Sequence, residues 1–142
     1  VYLSYGCHLC LNVVGRAGEA VLIRAMRPEL GLARMQERRG REGLLLAGPG
    51  RTGQALGIAL ADSGKRFGDA EFTLKPRRET VRLLVGPRIG ITRAAALPWR
   101  FGLAGASGLS RAFPAQEPTE QSGPFADFDP GCRSDEEAAG RD

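Results

Sequence analysis

Two strand-patterned runs at the start of the chain limit what it can fold into. The first is residues 1–14, VYLSYGCHLCLNVV, where Val1, Leu3, Tyr5, Cys7, Leu9, Leu11 and Val13 alternate with Tyr2, Ser4, Gly6, His8, Cys10 and Asn12. A period of two marks an extended chain with one apolar face. The second run is AVLIRAM at residues 20–26, and GRAGE at residues 15–19 supplies turn residues between them. Residues 1–26 are therefore expected to form one long antiparallel hairpin, greasy on one side and carrying Tyr, Ser, His and Asn on the other. Val1 already lies inside this pattern, so the natural chain is expected to start further upstream.

The same run contains Cys7-His8-Leu9-Cys10, which raises metal and redox readings. A structural zinc site needs four Cys or His ligands, commonly as two spaced pairs. The whole sequence holds three cysteines and one histidine, and Cys132 is remote from the other two. On an extended strand Cys7 and Cys10 point to opposite faces, with Cα atoms about 10 Å apart at about 3.3 Å per residue. A disulfide requires less than about 7 Å. No metal, cofactor or disulfide is expected here, and an odd cysteine count suits a reducing cytoplasm.

Further along, Pro28-Glu29 suits a helix start, giving an expected helix to about Arg39 with Leu32 and Met35 inward and Arg34, Arg38 and Arg41 outward. Residues 48–57, GPGRTGQALG, contain the G-x-G-x-x-G spacing. A nucleotide-binding module follows from that spacing only inside a βαβ unit, and the preceding elements read as a hairpin and a helix. The stretch is either a plain turn into a helix or a phosphate clamp of backbone N–H groups assisted by Arg51. Residues 62–70 read as a loop, residues 72–74 and 81–85 as short strands, and residues 98–111 as an extended segment. No apolar run approaches the roughly 18 residues of a membrane span, so no membrane partner is expected.

Charge divides the chain. Residues 1–111 carry 18 Lys and Arg against 8 Asp and Glu, and residues 112–142 carry 2 against 8. A basic body suits a polyanion such as DNA or RNA, although an Arg-rich composition inherited from a GC-rich genome gives the same count. The acidic part, rich in Pro, Gly and Ser, is expected to be a disordered tail. The expected fold class is α+β: a single mixed domain over residues 1–111, with a curved antiparallel sheet flanked by helices.

Five stretches, in order, resemble the alkyladenine (3-methyladenine) DNA glycosylase family: residues 1–14 (VYLSYGCHLCLNVV), 20–28 (AVLIRAMRP), 48–58 (GPGRTGQALGI), 86–91 (GPRIGI) and 98–101 (PWRF). The resemblance implies base excision repair: an enzyme, acting as a monomer in the cytoplasm or nucleoid, binds double-stranded DNA, flips out an alkylated purine and hydrolyses its bond to the sugar. It also implies roles. Tyr2 stacks on the flipped base, Asn12 disfavours the exocyclic amine of guanine, and Arg24 contacts the flipped nucleotide's backbone. Tyr5 enters the duplex as a wedge, and Gly50 and Arg51 lie in a basic DNA-contacting loop. Cys7 replaces a methionine common beside the wedge, and His8 stands where the family often has an aromatic residue or His. The family's general base, a glutamate, lies ahead of the matched region, so no catalytic residue is expected within residues 1–142. Neither Glu19 nor Glu29 fits that role. A DNA- or RNA-binding protein without hydrolysis is the alternative.

Overall fold

The computed structural model describes residues 1–68, 71–75 and 80–121. It combines antiparallel strand pairs with two short helices. The opening run is not one strand. β1 (Tyr2–Ser4) and β2 (His8–Cys10) pair with Tyr2 opposite Cys10 and Ser4 opposite His8. Residues 5–7 turn the chain between them, closed by the Cys7 N–H to the Ser4 carbonyl at 3.2 Å. Tyr5 and Gly6 both take left-handed backbone, at φ 50° and 69°. A period-two pattern can continue through a three-residue turn, which is why alternation alone concealed the break.

After Leu11 the extended chain goes on as β3 (Asn12–Val14), which pairs with β4 (Ala20–Leu22) in the register Asn12 to Leu22. The Ile23 N–H then donates to the Leu11 carbonyl at 3.0 Å. The expected single hairpin over residues 1–26 is thus two successive hairpins, joined at Leu11. Residues 24–26 continue to residues 46–48 through Gly48 N–H to the Arg24 carbonyl (2.9 Å) and Met26 N–H to the Leu46 carbonyl (3.2 Å).

Helix α1 is Leu32–Arg39, later than Pro28-Glu29 suggested. Its N-cap, Gly31, sits at φ 76°, outside helical backbone. Met35 is half-buried as expected, whereas Leu32 is exposed. Helix α2, Pro49–Leu56, has Pro at its start, where the missing N–H costs nothing. It lies on β2 so closely that a Cβ at Gly53 would stand 2.0 Å from the Leu9 carbonyl oxygen, and one at Gly50 2.8 Å from the His8 ring. Leu45, Leu46 and Ala55 form the core between the helices, with Met35 and Leu56 against them. Thr52 is fully buried and donates to the Leu46 carbonyl at 3.1 Å.

A third sheet holds β5 (Val81–Gly86), β6 (Arg100–Leu103) and β7 (Thr119–Gln121) in the order β6-β5-β7. Among the described residues the strands therefore form three separate antiparallel sheets rather than one curved sheet. Residues 72–74 are not a strand. Residues beyond the expected boundary at 111 also take part in this sheet. Phe113 lies across Gly86 and Gly102, within 3.1 Å and 2.6 Å of where a Cβ would be, and β7 pairs with β5. A lone Phe and a short Thr-Glu-Gln strand in a polar stretch give little periodic signal. The rest of the expected tail, residues 122–142 with Cys132, lies outside the described residues, as do residues 69–70 of the expected loop.

Candidate nucleic-acid interface

The β1–β2 hairpin ends in Tyr5, which is 83% exposed. Its hydroxyl donates to the Gly90 carbonyl at 3.4 Å, joining the hairpin tip to the loop that follows β5. Positive φ at a non-glycine residue is uncommon and costs on the order of 1–3 kcal/mol. The tyrosine is thus held at the apex of a tight turn, pointed away from the protein's own core.

Below the tip, cross-strand register gathers Tyr2, Cys10 and Arg24. Tyr2 stands opposite Cys10. Extending the β3–β4 register past the Ile23–Leu11 bond brings Arg24 to the other side of the same cysteine. Residues directly opposite one another show their side chains on the same face. Asn12, two positions beyond Cys10, shares that face. Cys10 is only 2% exposed, and Cys7 is an exposed free thiol in the turn. Among the described residues no three His, Cys, Asp or Glu side chains come together.

Among the described residues, the groups that act on the Tyr2 hydroxyl include no carboxylate. Tyr2 as a residue is exposed, but its hydroxyl end meets the Cys10 thiol. Burial pushes its phenol above the ordinary 10.0, Cys10 adds to the rise, and the Arg24 charge opposes it. The ring is therefore neutral and electron-rich at physiological pH. Two polar atoms of this face, Asn12 Oδ1 and Arg24 Nε, are buried without hydrogen-bond partners among the described residues. An unsatisfied buried group costs about 1–3 kcal/mol until a partner reaches it. A flat aromatic face, an unpaired acceptor and an unpaired cation together suit a planar, positively charged ring attached to an anion.

Gly50 and Arg51 have separate positions. Gly50 faces the His8 ring inside the α2–β2 contact. Arg51 is exposed, and its Nη1 donates to the Ala47 carbonyl at 3.3 Å near the start of α2. The Gly48 N-cap receives no side-chain hydrogen bond, and its N–H is taken by Arg24. The fold thus links the α2 start to Arg24 through backbone, and to the hairpin through the Gly50–His8 contact.

Arg100 was not singled out by sequence reasoning. It is 8% exposed, with its guanidinium 3.7 Å from the centroid of the Phe113 ring. It donates to the carbonyls of Arg111 (3.4 Å) and Ala112 (3.1 Å), while its Nε has no partner. Burial lowers its pKa, and the nearby Arg24 and Arg111 charges lower it further. The available signal was the absence of Asp and Glu from residues 80–116. An open apolar cleft of about 280 Å³ between Met26, Leu32, Gln36, Leu45 and Ser107 is lined by none of Tyr2, Tyr5, Asn12, Arg24 or Arg51. No helix among the described residues is long and apolar enough to cross a membrane.

The family model described as Methylpurine-DNA glycosylase matches residues 1–107. Among curated proteins, three relatives provisionally named 3-methyladenine DNA glycosylase are similar. One from Rhodopseudomonas palustris is 50% identical over 119 residues, covering 80% of this chain and 58% of the relative. One from Rhizobium meliloti is 50% identical over 115 residues, covering 80% and 62%. One from Nitrosospira multiformis is 50% identical over 118 residues, covering 80% and 61%. The chain thus spans about three fifths of the length of these relatives.

Proposed function

The chain belongs to the methylpurine-DNA glycosylase family, and from that premise we propose that it grips duplex DNA, extrudes an alkylated purine of the 3-methyladenine type and serves hydrolysis of that base from its sugar. The observation that carries this reading is Tyr5, a tyrosine 83% exposed at the apex of a three-residue turn. A ring in that position enters the stack where a nucleotide has left. Tyr2, Asn12 and Arg24 share the face beneath it and receive the flipped nucleotide. Tyr2 stacks on the base, Asn12 tests its edge and Arg24 meets its phosphate. Arg51, with the backbone at Gly50, contacts the DNA strand. Extrusion costs a few kcal/mol, and base–aromatic stacking returns about 1–3 kcal/mol per base. An alkylated purine is cationic, which increases its attraction to a neutral tyrosine face and makes it a better leaving group.

Hydrolysis needs a water activated by a positioned base, most simply a carboxylate. The groups that act on the Tyr2 hydroxyl are Cys10, Arg24 and Tyr5. Glu19 is engaged at the Gly15-Arg16 turn, and Asp62 and Glu71 with Lys65. That observation favours a second reading, in which these residues bind and flip without cleaving. One experiment separates the two. The chain is incubated with a duplex containing 3-methyladenine or hypoxanthine, abasic sites are counted, and binding is followed by anisotropy. Abasic sites support the glycosylase reading. Lesion-selective binding without them supports the second. Equal affinity for damaged and plain duplex, or an equal loss on both in Tyr2→Ala, overturns the pocket.

A further inference from the structure

We propose that Trp99 and Arg88 form a second DNA contact beside the Tyr5 hairpin tip, Trp99 stacking on an unstacked nucleobase and Arg88 neutralising the adjoining phosphate. Trp99 is 63% exposed, with the Arg88 guanidinium carbon 5.9 Å from its ring centroid. The pair belongs to the loop that Tyr5 touches. The Tyr5 hydroxyl bonds the Gly90 carbonyl, and the Arg88 N–H bonds the Ala95 carbonyl at 3.0 Å, folding the loop back toward β6. Phe101, opposite Val85, continues the exposed aromatic side of β6.

An exposed aromatic strip alone would fit a protein partner equally well. Charge decides for nucleic acid. Residues 80–116 hold four exposed arginines, at 82, 88, 93 and 111, besides the buried Arg100, and no Asp or Glu. A polypeptide partner would have to supply every counter-charge, whereas a phosphate backbone does so by its nature. Aromatic rings interleaved with arginines are how proteins hold unpaired bases, because every base has a π face. Once Tyr5 enters the duplex, a neighbouring base loses its stacking partner, and Trp99 ends the loop whose Gly90 carbonyl Tyr5 touches.

This inference rests on the DNA-binding reading above, and its test separates the two. Trp99 is the sole tryptophan in the sequence, so emission excited selectively at the red edge of the absorption band, where tyrosine does not absorb, reports on it alone. The full chain is titrated with an unlabelled duplex carrying one hypoxanthine or one unpaired adenine, while anisotropy of a labelled copy measures occupancy. Stacking should quench emission by half or more at saturation, and less with plain duplex. Trp99→Phe should keep affinity within about threefold, and Trp99→Ala should weaken it about 5- to 150-fold. Arg88→Gln should reduce the slope of log affinity against log salt by about 0.9. Circular dichroism of each variant checks that the fold persists. Unchanged emission at full occupancy, or a folded Trp99→Ala that binds like the parent, overturns the second contact and leaves the Tyr2 pocket standing. Absence of any duplex binding overturns both.

Discussion

Arg100 and Tyr2 show how single residues are set by what surrounds them. A buried guanidinium is normally matched by a carboxylate. Arg100 is matched instead by the Phe113 ring and two backbone carbonyls. Only a planar cation with several donors can stack and fork at once. Arg100→Lys should therefore destabilise the chain by about 2 kcal/mol, the scale of a lost hydrogen bond from a charged group, seen as a lower urea midpoint. A midpoint equal to the parent's would show that charge alone suffices. Tyr2 gives a prediction in pH. Its folded-state pKa is raised, so its contribution to stability is complete below pH 10 and is lost as pH rises through the folded value. The sequence holds two tyrosines, so phenolate absorbance near 295 nm can be apportioned by substitution. The component that disappears in Tyr2→Phe should titrate above 10.0. A midpoint at or below that value would mean that the hydroxyl is not buried against Cys10.

At the scale of elements, the decisive join is α2 on β2, made possible by Gly50 and Gly53. The two glycines meet different obstacles. A methyl at Gly53 would run into the Leu9 carbonyl, which is backbone and cannot step aside. A methyl at Gly50 would run into the His8 side chain, which can be removed. Gly53→Ala should therefore cost about 3 kcal/mol whatever the residue at position 8. Gly50→Ala should destabilise the parent but become neutral or stabilising in a His8→Gly background, which also removes the His8 Cβ that would stand 3.0 Å away, so that the helix-propensity gain of about 1 kcal/mol is no longer opposed. A double-mutant cycle by urea unfolding checks the coupling. The same join shows what was legible in the sequence. GPGRTGQALG announced a turn into a helix, and the structure starts α2 at Pro49. The spacing could not distinguish glycines that admit a phosphate from glycines that admit a strand, because both need a bare backbone. Likewise, the alternation in residues 1–14 predicted extended chain and the face shared by Tyr2, Cys10 and Asn12. Gly6 marked where a bend could fall, but the alternation did not reveal that Tyr5-Gly6-Cys7 turns, since a tyrosine at φ 50° leaves no compositional mark.

For the whole molecule, the distribution of charge sets the strength expected of the proposed association with DNA. Residues 1–121 carry 18 Lys and Arg against 10 Asp and Glu, and residues 122–142 carry 2 against 6. The last residues therefore offset half of the positive charge that precedes them. Exposed charges act through solvent over about 8 Å at physiological salt and about 30 Å at 0.01 M. A chain shortened to Gln121 should bind plain duplex about tenfold more tightly than the full chain at low salt, the difference closing as salt rises toward 0.5 M. Shortening to Arg111 is expected to behave differently. That cut removes Phe113 from Gly86, Gly102 and Arg100 and takes β7 from β5, so it should lower the unfolding midpoint relative to the 121-residue chain. Comparing the three lengths by salt titration and urea unfolding separates the effects. Equal midpoints for the 111- and 121-residue chains would mean that Phe113 and β7 add nothing to the fold. A low-salt advantage that persisted at high salt would mean that residues 122–142 act through specific contact rather than through net charge.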